Sequence, residues 1–375
     1  MKIIIESLKD AAAFFEETLS ALPERDGLAH DLAVADGRRP AYPAVCIRYL
    51  ADPADTSVAP PHWIPPTLQI GDSPEDRLAA EIVNLLQPLD LCNPVSSTLG
   101  VDMGPGTLVT CWGIPLNPET ENSPAYTLSL DALLDLPMPA VRTAGLMPGM
   151  LDRIAFLQDA LPPRFRIGMP DTQGPFNLFH AIVGDEAFLA PYEAPDRFRE
   201  AMTRITDFWI EACALLDAAI GSERRAPFDR FRRIAECSVN LVSRSFYEEH
   251  ILPHDRRIAE HFGALHIHPC SGPHVFHATL DHLPVAVSEA GWIERTAAGA
   301  ISVEEALVAT AGRDIVLMIG QELPPGAEEE TIRRDLACAA DHPRITFAYT
   351  GMHWRRCDSP IIRALHERLD AYWAG

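Results

Sequence analysis

Phe165-Arg166-Ile167-Gly168-Met169-Pro170-Asp171-Thr172-Gln173-Gly174-Pro175-Phe176 is the stretch whose reading decides the fold. Residues 165–169 read as a strand, and residues 170–176 as a turn built from proline, glycine and polar side chains. The same strand-then-helix rhythm recurs outward from it. Pro195 opens a long amphipathic helix that Gly221 closes, since proline suits a first helical turn and glycine the residue after a last one. Residues 245–262 read as another helix, ended by Gly263 and bent by Pro253. Residues 264–268, 315–320 and 345–350 read as buried strands. Ser302-Val303-Glu304-Glu305 is a capping box between two of them, and Asp358-Ser359-Pro360 opens the last helix.

Such alternation specifies an α/β fold with a parallel sheet, either closed as a barrel or open and doubly wound. An open nucleotide-binding sheet carries a glycine fingerprint after its first strand. Neither GxGxxG nor GxxxxGK[ST] occurs here, and Val101-Asp102-Met103-Gly104-Pro105-Gly106 is only a glycine turn. The closed barrel is therefore preferred. Ahead of residue 150 lie 18 of the 33 prolines, so that part should be irregular and loop-rich, interrupted by helices over 8–22 and 73–86. Residues 1–40 are expected to form a helical N-terminal extension and residues 41–375 the barrel domain.

Composition narrows the function. The 375 residues are 47% hydrophobic and 22% charged, as in a globular protein. Acidic residues outnumber basic ones 53 to 31, a net charge of −22, which argues against a nucleic-acid face but permits one basic pocket for an acidic small molecule. No apolar run reaches the roughly 18 residues of a membrane span. Lys2 and Glu6 bring charge too early for a signal peptide. Eight cysteines without a CxxC pair suit reduced thiols in a cytoplasmic protein.

Histidine is the local anomaly: eight of 14 lie between His250 and His282. At their centre stands His266-Ile267-His268-Pro269-Cys270, where i and i+2 side chains share one face of the strand. Imidazole and thiolate together suit Zn²⁺. A third ligand could come from Cys357 or its neighbour His353, both just after the strand at 345–350. A His-Cys-Cys set would leave one position open, and two thiolates would favour holding a thiol as its nucleophilic anion over polarising a carbonyl. Asp171 and Gln173 either orient a polar ligand at a strand end or form a turn in which Asp171 caps the next helix. Glu236, beside Cys237, is either an acid/base group or a partner for the nearby arginines. Arg224-Arg225 and Arg232-Arg233 read as solvated pairs, and Phe208-Trp209 as core. His250, His254 and His261 read as surface residues, and His274, His277 and His282 as helix-face or loop residues.

The turn Pro170 to Phe176 resembles the PDxQGPF-type turn of the uroporphyrinogen decarboxylase superfamily. The Pro195-Asp196 helix and Phe246-Tyr247-Glu248-Glu249-His250-Ile251-Leu252-Pro253 are also similar to it. His268-x-Cys270-x-Gly272 resembles its H-x-C-G segment with one residue added. The likeness is clearest from about residue 164 onward. It implies a (β/α)8 barrel with a pocket at the strands' C-terminal ends. The superfamily contains cofactor-free tetrapyrrole decarboxylases and zinc methyltransferases that move a methyl group between a corrinoid protein and a thiol or related acceptor. The zinc pattern of the latter, H-x-C plus a distant cysteine, falls on His268, Cys270 and Cys357. The decarboxylases' arginine-rich RQAGRY-type segment has as its counterpart only Val45-Cys46-Ile47-Arg48-Tyr49, with a single arginine, although a polycarboxylate needs several cationic partners.

The resulting expectation is a zinc methyltransferase acting on a small-molecule substrate. His268, Cys270 and Cys357 would hold the metal, Asp171 and Gln173 would orient substrate, and Glu236 and His266 would handle protons. The methyl donor would be a corrinoid on a partner protein or a methoxylated compound. A metal-free decarboxylase and a silent ligand-binding barrel are the alternatives. Glu289, in Val287-Ser288-Glu289-Ala290-Gly291, is a possible fourth ligand, acid or helix cap.

Overall fold

The computed structural model describes residues 3–38, 40, 45–49, 65–101, 103–120, 123–269, 272–290, 301–338, 342, 344–351 and 354–374. Its strands, in chain order, are β1 (Ile4–Ile5), β2 (Val45–Tyr49), β3 (Thr67–Leu68), β4 (Thr98–Gly100), β5 (Arg166–Gly168), β6 (Arg232–Ala235), β7 (Leu265–His268), β8 (Val285–Ala290), β9 (Val316–Glu322) and β10 (Ile345–Gly351). The chain divides into two compact units, Met1–Thr98 with Val316–Gly375, and Leu99–Ile315.

In the first unit β10 lies between β2 and β9 and runs parallel to both, with Phe347 opposite Val45 and opposite Ile319. The buried side chains Val45, Ile47, Val316, Ile319 and Tyr349 form its core with Phe15 and Leu369. On its free side β2 meets a side chain in place of a strand. Asn93 Oδ1 accepts the Ile47 N–H at 2.8 Å, and Asn93 Nδ2 donates to the Ile47 carbonyl at 2.8 Å. His366 Nε2 donates to the same Oδ1 at 2.9 Å; burial, then Arg25, hold this imidazole neutral by lowering its pKa to about 3.

The second unit contains β6, β7 and β8, parallel neighbours in that order, and the helices that pack on them. The long helix is Pro195–Ile220, and Gly221 follows it at φ 73°. Its buried residues Phe198, Met202, Ile205, Phe208, Trp209, Ala212 and Leu216 recur at helical spacing, so one stripe meets the core. Phe208 and Trp209 are fully buried, as read from the sequence. The helix expected over 245–262 is continuous but not uniform. A π turn at Tyr247–Ile251 separates Arg244–Phe246 from Leu252–Phe262, with Leu252 N–H bonding to the Tyr247 carbonyl. The wide turn lies just before Pro253, where the proline has no N–H to donate and its ring crowds the preceding turn.

Two expectations change. His254 is buried, not on the surface; it bonds Thr206 Oγ1 at 3.0 Å, and burial, then Arg257, lower its pKa to about 4. At Ser302 only one half of the box is present: its hydroxyl accepts the Glu305 N–H at 3.1 Å. Among the described residues the pairing establishes an α/β fold whose longer parallel strands number three in each unit, beside the short parallel pair β1 and β3, with no closed ring of eight. No helix among them is long and apolar enough to cross a membrane.

Because the Asn93 amide satisfies both main-chain groups of Ile47, Asn93→Ala should destabilise the protein by about 2 kcal/mol, from leaving a buried donor and acceptor unpaired. Urea unfolding monitored by circular dichroism measures this, and an unchanged midpoint would remove the bracing role.

Candidate functional site

The pleat explains which side chains of the second unit converge. Opposite residues on neighbouring strands share a face, and Arg233 pairs with His266 and Ala235 with His268. Between β7 and β8 the register shifts: Leu265 lies opposite Val285, but His266 lies opposite Val287. Continuing that register brings Glu289 alongside His268. Without the shift His266 and His268 would face Ala286 and Ser288, and Glu289 would point to the other side. One residue of slip therefore puts a carboxylate on the histidine face.

The side-chain contacts agree with this register. Glu289 Oε2 accepts from His268 Nδ1 at 2.6 Å, and its Oε1 accepts from His266 Nε2 at 3.0 Å and Arg233 Nε at 3.2 Å. Arg233 Nη1 reaches Asp171 Oδ1 at 3.2 Å. The His266, His268 and Glu289 side chains are only 7–8% exposed, whereas Arg233 and Asp171 are about a third exposed and open onto a cavity of about 220 Å³. Burial opposes the charge of Glu289, but hydrogen bonds from both histidines and the Arg233 charge hold its carboxyl well below the ordinary range. For His268, burial opposes protonation, yet hydrogen bonds with Cys237 and Glu289, and the Glu289 charge, raise its pKa to about 9.

The turn after β5 supplies the other wall. Asp171 forms an Asx turn, its Oδ1 accepting the Gln173 N–H at 3.1 Å and its Oδ2 the Gln173 amide at 2.8 Å. It does not cap the following helix Pro175–Val183, whose capping residue is Gly174. Gln173 sits at φ 55°, a left-handed conformation that costs a non-glycine residue on the order of 1 kcal/mol. Its backbone is locked there: Trp209 Nε1 donates to the carbonyls of Thr172 at 3.1 Å and Gln173 at 3.2 Å, while Asn177 Nδ2 donates to Gln173 Oε1 at 2.8 Å. Gln173, Asn177, His180, Cys237 and Ser238 line a second cavity of about 370 Å³, within the size range of small-molecule sites.

Of the sequence-predicted residues, Asp171, Gln173, His266 and His268 come together in this network. Glu236 lies under the turn, 0% exposed, beneath Gly174 and beside Asp255. Burial, then Asp255 and Cys237, hold Glu236 well above its usual pKa. Asp255 is raised by burial to about 7 against the hydrogen bond from Tyr247. Tyr247 donates to Asp255 Oδ2 at 2.8 Å. Cys270 and His353 lie outside the described residues. Cys357 is exposed and belongs to the other unit. Among the described residues no group of three or more His, Cys, Asp or Glu side chains is arranged to hold a metal ion.

The sequence reading missed Arg233 and Glu289's part as the centre of the network. Arg232-Arg233 is not a solvated pair. Strand alternation sends Arg233 to the histidines, and sends Arg232, 3% exposed, to Asp217 and over the Phe262 ring at 4.8 Å. Arg225 pairs with Asp217 at 3.2 Å, and Arg224 donates to the Pro162 and Leu161 carbonyls. Their position at the start of a strand was the available signal, since alternation forces one of two adjacent side chains inward. Glu289 was not a helix cap but a strand residue.

The structure is similar to that of a methyltransferase from Methanosarcina mazei, with a TM-score of 0.59 and 17% identity, over 92% of this chain and 98% of that one. The likeness is one of fold. No family model matches the chain, and no curated protein matches it.

Two outcomes test this geometry. A β-carbon at Gly174 would lie 2.6 Å from Glu236 Oε1 and 2.9 Å from the Ala235 carbonyl oxygen, so Gly174→Ala should cost about 1–3 kcal/mol in urea unfolding. The Glu289 contribution to stability is present above its unfolded value of 4.5 and lost as pH falls through its depressed folded value. The His268 contribution is complete below 6.5 and lost as pH rises through about 9. Stability of the metal-free protein should therefore fall between pH 6.5 and 9, and Glu289→Gln should flatten that slope. Equal slopes in both proteins would contradict the pairing.

Proposed function

We propose that this chain is a zinc-dependent methyltransferase of the uroporphyrinogen decarboxylase-like superfamily, built on a TIM barrel and acting in the cytoplasm. It would transfer a methyl group between a corrinoid on a partner protein, or a methoxylated small molecule, and a thiol acceptor. The observation that carries the reading is the setting of His268. Glu289 holds its Nδ1 at 2.6 Å, which fixes the ring and leaves Nε2 as the donor, the arrangement that orients metal-binding imidazoles. The strand–helix alternation and the likeness to a methyltransferase fold support the same reading.

Zinc would be held by His268, Cys270 and a second thiolate, for which the sequence offers Cys357 with His353 as its competitor. When bound, zinc supplies the positive charge that keeps an acceptor thiol deprotonated near neutral pH. The remaining work falls to the chain's own residues. Glu289 fixes the imidazole, and Arg233 offsets the Glu289 charge while linking it to Asp171. Asp171 and Gln173 orient the substrate in the adjoining cavities, from a turn whose geometry Asn177 and Trp209 lock. Glu236, kept protonated by burial and by Asp255, and His266 are the groups assigned to hold and return protons.

Elemental analysis of untagged protein purified without chelators should find about one zinc per chain, lost in His268→Ala and Cys270→Ser variants that remain folded by circular dichroism. Absence of metal even after zinc is added back under reducing conditions would sink the proposal, as would a folded His268→Ala protein that keeps its full zinc content.

A further inference from the structure

The helix Pro175–Val183 turns one face to the cavity of about 370 Å³. Asn177, His180, Ala181 and, just past its end, Gly184 line that cavity, and they recur at helical spacing along a single stripe. The rest of the polar wall follows strand ends: Gln173 comes after β5, and Ser238 lies in the turn after β6. Ligands of parallel α/β folds sit beyond the C-terminal ends of the strands, so the cavity has the position of a binding site.

Asn177 holds the wall together. Its Nδ2 donates to Gln173 Oε1 at 2.8 Å and to the Ala235 carbonyl at 2.7 Å, and its Oδ1 accepts the Ser238 N–H at 2.8 Å. Both of its protons are thus spent on the protein. Ser238 and His180 keep something in reserve. Ser238 Oγ and His180 Nδ1 share a hydrogen bond at 2.8 Å, and the Phe188 ring packs against the imidazole at a centroid distance of 4.7 Å. Whichever of the two carries the shared proton, the pair retains a donor and an acceptor: hydroxyl lone pairs with an Nε2–H, or a hydroxyl proton with a bare Nε2.

Charge decides what such a wall accepts. Burial lowers the His180 pKa below its usual 6.5, against the charge of Asp185, so the ring is neutral at pH 7. Among the described residues the lining includes no Asp, Glu, Lys or Arg, whereas the cavity of about 220 Å³ is lined by Asp171, Asp229, Arg232 and Arg233. Pro105, Pro124 and Ala181 add apolar surface. An ion entering here would give up hydration with no counter-charge in return, while a hydroxyl or an amide would find partners. We propose that this cavity binds a small uncharged molecule with an apolar body and a hydroxyl or amide end, held by the Ser238–His180 pair. The inference goes beyond the zinc reading, since binding here requires neither metal nor turnover.

Four single-ring probes of similar size test it: benzyl alcohol, benzamide, benzoate and benzylammonium, each titrated into the full chain near neutral pH and followed by saturation-transfer NMR. The alcohol and the amide should bind at least tenfold more tightly than either ion. Ser238→Ala should weaken the alcohol and the amide about fivefold, the loss of one neutral hydrogen bond. Ala181→Leu, which puts a larger side chain on the lining face and keeps a good helix former, should abolish their binding. Circular dichroism checks that both variants fold. Either ion binding as tightly as the alcohol, no binding of the alcohol and the amide at millimolar concentration, or unchanged affinity in either folded variant overturns the assignment. The comparison of the four probes uses the unmutated protein, so it decides the charge preference even where a variant fails to fold. Elemental analysis decides the zinc reading separately.

Discussion

The Glu289 carboxylate, buried between two imidazoles and a guanidinium, is the interaction on which the site depends. An ion withdrawn from water loses several kcal/mol of hydration even after relaxation, and it is tolerated only when partners fill its lone pairs. Here two strands supply them to the carboxylate on β8: Arg233 from β6, and His266 and His268 from β7. The one-residue shift between β7 and β8 makes this possible, because a strand slipped by one position presents its opposite face. A small irregularity in a parallel ladder thus decides whether the histidines meet a carboxylate or a serine.

The surrounding fold is tied to that arrangement by polar links. The turn after β5 reaches the cluster by the Asp171–Arg233 pair, and its strained Gln173 is held by Trp209 from the long helix Pro195–Ile220. The same helix presents Asp217 to Arg232 on the other face of β6. Adjacent arginines on one short strand therefore tie the sheet to the helix on one side and to the site on the other. Beneath the turn, burial raises the carboxyls of both Glu236 and Asp255, and Gly174 leaves the room that Glu236 occupies.

Much of the fold was legible because its signals are local. Ser73 with Pro74, Pro195 with Gly221, and Gly263 mark helix ends by their own backbone preferences, and the structure places the ends there. The π turn before Pro253 was legible only as a bend, since a proline states that a hydrogen bond is lost but not how the chain absorbs the loss. His254 was misread because a helical pattern gives a face without saying what packs on it; Thr206, 48 residues away, supplies the partner.

By itself the sequence determined the strand–helix alternation, the shared face of His266 and His268, and the polar turn at Asp171 and Gln173. All three follow from the period of a strand or the conformational limits of proline and glycine. Only the tertiary structure decided that Glu289 meets both histidines and that Arg233 turns inward while Arg232 turns to Asp217. These depend on the register between strands far apart in the chain. Register is set by the fit of neighbouring strands as they pack, and no single segment encodes it.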